Sequence, residues 1–104
     1  MILKLERLRA LLPECEALTS LAEECSELAQ AALKYRRCLD GTNWTPKTEE
    51  ECLDNLREEI GNVMCCLVAA GFVTEDQPVG HLLSRAKADR WLSRLEAHRK
   101  EAKP

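Results

Sequence analysis

A chain of 104 residues is long enough for one domain with a small core, and 45% hydrophobic against 4% aromatic content favours helices over strands. Its 15 basic and 18 acidic residues leave a net charge of −3, without the basic footprint that nucleic-acid binding needs. No apolar run approaches the roughly 20 residues of a membrane span, and no long apolar stretch follows Met1–Glu6 as it would in a signal peptide.

Leu3, Leu5, Leu8, Leu11 and Leu12 make a short helical pattern that Pro13 interrupts, so a bend is expected at Leu12–Pro13. A second helix should run from there to about Leu39, with Leu18, Leu21, Cys25, Leu28, Ala32 and Tyr35 as its core stripe. Asp40-Gly41 ends it, and a turn-rich segment carrying Trp44 follows. Thr48 and Glu51 form a capping box for a third helix, whose stripe is Leu53, Leu56, Ile60, Val63 and Leu67 and whose C-terminal cap is Gly71. A last helix is expected from about Val79 to Lys100, with Trp91 in the core and a frayed tail over 101–104. The whole reads as a single domain spanning 1–104, an all-α antiparallel helical bundle. Its remaining apolar faces call for homo-oligomerisation, as a homodimer or homotetramer. The six cysteines contain no C-x-x-C spacing and sit within helical patterns, which predicts reduced, mostly buried thiols in a cytoplasmic protein.

Two stretches break the apolar pattern with carboxylates: Glu23-Glu24-Cys25-Ser26-Glu27 and Glu58-Glu59-Ile60-Gly61-Asn62. Glu24 and Glu27 are three residues apart and share a face, and so do Glu59 and Asn62. That second face also holds Asn55 and Cys66 and borders the apolar stripe. If the two helices pack side by side, Glu24, Glu27, Glu59 and Asn62 converge. Clustered carboxylates are tolerable only when protonated, paired or bound to a cation. Oxygen-only ligands suit a hard ion, Mg²⁺ or Mn²⁺. A di-iron bundle would need Glu-x-x-His pairs, which are missing. The bland alternative for each glutamate is an ordinary solvated helix face.

Glu23-Glu24-x-x-Glu27, followed after a Trp/Pro segment by Glu59-x-x-Asn62, resembles the MazG-like all-α nucleoside triphosphate pyrophosphohydrolases, marked by E-E-x-x-E and then E-x-x-D. The resemblance covers residues from about 18 to 95. It implies Mg²⁺-dependent hydrolysis of (d)NTPs to the monophosphate and pyrophosphate. Glu24, Glu27, Glu59 and Asn62 would be the metal ligands, and Glu23 either a supporting carboxylate or, with Glu27, a catalytic one that orients the attacking water. Asn62 departs from the motif and removes one negative charge, which weakens metal binding. A second reading therefore stands beside the enzyme: a catalytically weakened helical module that binds nucleotide or serves as an oligomeric interaction domain. Lys34 and Arg37, and the row Lys87, Arg90 and Arg94, are either phosphate contacts or solvated helix cations. Trp44 either stacks on a base whose edge Asn43 or Asn55 reads, or plugs an end of the bundle.

Overall fold

A computed structural model of the chain describes residues 2–42, 47–74, 76 and 82–102. Every regular element among them is a helix: α1 (Ile2–Leu11), α2 (Glu14–Asp40), α3 (Glu49–Ala69) and α4 (Arg85–Ala102). Trp44 and Asn43, the expected start of the last helix over 79–81, and residues 103–104 lie outside the described residues.

The helix ends follow local chemistry. Pro13, with ψ 143°, stands at the N-cap of α2, where its missing N–H is not needed, and separates α2 from α1. Gly41 ends α2 in the left-handed region at φ 78°. Beyond it Thr42 donates its backbone N–H to the Arg37 carbonyl at 3.0 Å. Thr42 also donates its hydroxyl and its backbone N–H to Asp40 Oδ1, which holds the Asp40 carboxyl below its usual range. The capping box of α3 is present: Thr48 Oγ1 accepts from Glu51 N at 3.1 Å, while Glu51 Oε1 accepts from Thr48 N at 3.5 Å. α3 closes with Gly71 at φ 85°, donating to the Val68 carbonyl, and Phe72 donating to the Leu67 carbonyl, a Schellman arrangement. The Arg9 guanidinium of α1 lies across Gly71, 2.9 Å from where a Cβ would stand. α4 starts later than the spacing predicts, because Ser84 is its N-cap: Ser84 Oγ accepts from Lys87 N at 3.1 Å.

α2 and α3 form an antiparallel pair, with Cys38 meeting Cys52 at one end and Glu24 facing Cys66 at the other. α1 packs on the C-terminal part of α3, where Leu5 and Val73 are buried. On α2 the covered face is Ala17, Leu21, Glu24, Leu28, Ala31, Tyr35 and Cys38, at alternating steps of four and three. Leu21, Leu28 and Tyr35 are covered as expected, while Ala17, Glu24 and Ala31 take the places expected of Leu18, Cys25 and Ala32. Leu18 is 42% exposed, and Cys25 and Ala32 face outward. On α3 Leu53, Leu56, Val63 and Leu67 are half-buried as expected, but Ile60 is 47% exposed. Asn55, Glu59, Asn62 and Cys66 share the covered side instead.

Two further expectations are corrected. Trp91 is 62% exposed, not core, because among the described residues α4 packs on no other helix. The thiols are not mostly buried. Cys15, Cys25 and Cys65 are exposed, Cys38 and Cys66 half-buried at the α2–α3 contact, and among the described residues only Cys52 is buried. The accessible surface is 8553 Å² and the radius of gyration 17.8 Å. A compact monomer of 11.8 kDa would show about 5900 Å² and ~13 Å.

Candidate metal centre

The antiparallel pairing of α2 and α3 turns the middle of one helix toward the middle of the other. Glu24 and Glu27, one turn apart on α2, meet Glu59 of α3, and each carboxylate has an oxygen within 4.8 Å of the other two. Glu24 and Glu59 are half-buried and Glu27 is exposed. Glu24 carries the strain of this arrangement. Its Oε2 is sealed from solvent and has no hydrogen-bond partner among the described residues. Burial, and then the charges of Glu27 and Glu59, push its carboxyl above the ordinary value. Facing carboxylates offer no donor to one another, so Glu24 is hydrogen-bonded to Glu27 or Glu59 only when it holds a proton.

Asn62 stands one turn beyond Glu59 and donates its amide Nδ2 to Glu59 Oε2 at 3.5 Å, the outer limit of a hydrogen bond. Cys66, a further turn along, lies near Glu24. Burial, and then the charge of Glu24, push its thiol up, so it is a neutral group beside the carboxylates. Its closeness to Glu24 is readable from the shared face of Asn62 and Cys66 once the helix pairing is known.

The donor set suits a hard divalent cation. It is all oxygen, it is anionic, and it contains a sealed acceptor that a cation would satisfy. Coordination bonds of about 2.1 Å hold ligand oxygens ~3–4 Å apart, and a spread of 4.8 Å or less approaches that.

No family model, no curated protein and no solved structure matches the chain. The site therefore stands on its own geometry.

Glu23 is exposed beside Glu24 and outside the three-carboxylate cluster, and Glu58 is likewise exposed. Asn55 is half-buried one turn before Glu59, facing the same side. Lys34 and Arg37 are exposed on α2, about 10 and 15 Å along the axis from Glu27. Lys87, Arg90 and Arg94, with Trp91, line an open concavity on α4. One copy of the chain does not pack that row onto α2 or α3 among the described residues. Trp44 lies outside the described residues.

Proposed function

We propose that this chain is a MazG-like nucleoside triphosphate pyrophosphohydrolase that uses Mg²⁺, with Mn²⁺ as an alternative, and works as a homodimer or homotetramer. The observation that carries the reading is the convergence of Glu24, Glu27 and Glu59 from two helices around a sealed, partnerless oxygen. In this reading those three side chains hold the ion, and Asn62 ligates through its carbonyl while its amide steadies Glu59. The ion, when bound, neutralises triphosphate oxygens and acidifies a neighbouring water. Glu23, free of the cluster, accepts the proton of the water that attacks the α-phosphorus, with Glu27 orienting that water. The new P–O bond forms as the bond to pyrophosphate breaks. Lys34 and Arg37 lie along the same helix, where they meet the outgoing phosphates. Lys87 and Arg90 are supplied by α4 of a second copy. Asn55 and Trp44 serve the base. The uncovered apolar surface supports assembly into an oligomer. Six reduced thiols favour a cytoplasmic setting. Among the described residues no helix is long and apolar enough to cross a membrane.

The test is pyrophosphate release from a panel of (d)NTPs with Mg²⁺ or Mn²⁺. Glu27→Gln should abolish release and Asn62→Asp should preserve or raise it. No release at any metal concentration refutes the enzyme. One observation favours the second reading, a nucleotide-binding or oligomeric interaction module without turnover. Asn62 places an amide donor where a fourth carboxylate would attract the ion. Thermal stabilisation by nucleotide with metal, in the absence of product, would select it.

A further inference from the structure

We infer that Cys38 and Cys52 form a disulfide latch that locks the end of α2 to the start of α3 under oxidising conditions. Their sulfur atoms are 3.2 Å apart, about 1.2 Å more than a covalent S–S bond. They belong to adjoining helix ends: Cys38 lies two residues before the last residue of α2, and Cys52 three after the first of α3. Linking them therefore asks for a small approach of two packed helix termini, with no change of topology. Exposure assigns the order of events. Cys38 is half-buried at the rim, while Cys52 is only 2% exposed, so an oxidant meets Cys38 and Cys52 resolves the product. The remaining cysteines are arranged differently. Cys65 and Cys66 are neighbours in one helix, one exposed and the other turned toward Glu24.

With hydrogen peroxide as oxidant the steps balance. The Cys38 thiolate attacks a peroxide oxygen; an S–O bond forms, the O–O bond breaks, and the departing hydroxide takes up a proton as water. The Cys52 sulfur then attacks the sulfenic sulfur; the S–S bond forms, the S–O bond breaks, and hydroxide leaves with the Cys52 proton as a second water. Two thiols lose two electrons and the peroxide gains both. The thiol of Cys38 donates to Cys52, and this contact, with burial and the charges of Cys52 and Glu49, pushes Cys38 up to about 11. A thiol held up in this way reacts slowly at neutral pH.

The experiment is peptide mapping of the full chain after hydrogen peroxide, with unreacted thiols alkylated before trypsin. The expected product is peptide 38–47 joined to peptide 48–57, two hydrogens lighter than the sum, from a chain that remains uncrosslinked to other copies on a non-reducing gel. Oxidation should raise Tm by about 5 °C or more, because a cross-link removes freedom from the unfolded chain. Cys38→Ser, at a half-exposed position, should lose both the joined peptide and the shift. A chain with Cys15, Cys25 and Cys65 changed to Ser should keep both. If 38–47 and 48–57 are recovered separately alkylated after the exposed thiols have oxidised, the latch is refuted. It is refuted equally if Cys38 links preferentially to a second copy or to another cysteine.

Discussion

Glu24 occupies a position that its neighbours on α2 fill with Leu and Ala, and it bears the consequence alone. Its carboxyl is raised above the ordinary value by burial first and by Glu27 and Glu59 next. A carboxylate raised on folding lends stability at pH below its unfolded value, near 4.5, and loses it as pH rises through the folded value. At neutral pH without metal, ionised Glu24 therefore weakens the fold. Metal-free Glu24→Gln should melt higher than the parent chain at pH 7–8, and the gap should close as pH is lowered toward 4.5. Millimolar Mg²⁺ or Mn²⁺ should raise the Tm of the parent and leave that of Glu24→Gln nearly unchanged. A parent chain that melts higher than Glu24→Gln at pH 8 without metal would contradict the assignment of strain to this residue.

At the scale of elements, what the sequence discloses is mostly punctuation. Pro13, Asp40-Gly41 and the Thr48–Glu51 box each act through the backbone of their own helix end, so their effect needs no knowledge of a partner. Ser84 could be read in the same way, but the apolar residues at 79, 82 and 83 pull the expected helix start upstream of it. The core stripes are less legible, because several faces of α2 are equally rich in Leu and Ala. Only pairing with α3 selects Ala17, Glu24 and Ala31 over Leu18, Cys25 and Ala32. The carboxylate cluster was legible because its members are few and three apart, whereas the placing of Lys87, Arg90 and Trp91 depends on what α4 meets. Gly71 tests the punctuation of α3. An added Cβ there would face a φ of 85° and meet the Arg9 guanidinium at 2.9 Å. Gly71→Ala should cost about 1–2 kcal/mol from the backbone alone, read as a lower urea midpoint at unchanged slope. Gly61, in the middle of α3 with open space beside it, should instead gain about 0.5–1 kcal/mol on change to Ala.

As a whole molecule the single chain leaves its bundle incomplete. Leu11, Leu83, Trp91, Leu92 and Leu95 are all more than half exposed, and among the described residues α4 presents an apolar side with no helix of its own chain against it. Exposed apolar area on this scale is removed from water most directly by a second copy. Sedimentation equilibrium should return two or four times 11.8 kDa. Leu95→Arg should shift the population toward the single-chain mass without loss of helical circular dichroism. A chain that sediments as a monomer at all concentrations would leave α4 without its expected role. It would also remove Lys87 and Arg90 from any shared phosphate site.

The alternation of four and three along Ala17, Leu21, Glu24, Leu28, Ala31, Tyr35 and Cys38 returns every seven residues, the repeat of a left-handed supercoil. A repeat of that kind is ambiguous about alignment, since a slide of seven residues brings similar small and aliphatic side chains back into contact. Glu24 is the one charged member of the series and marks a single alignment, and on α3 Glu59 and Asn62 do the same. The groups that destabilise the helix pair are thus those that fix its register. Leu at both 24 and 59 would give a tighter hairpin with more than one way to align, and its loss of a single set of amide resonances would record what the carboxylates had specified.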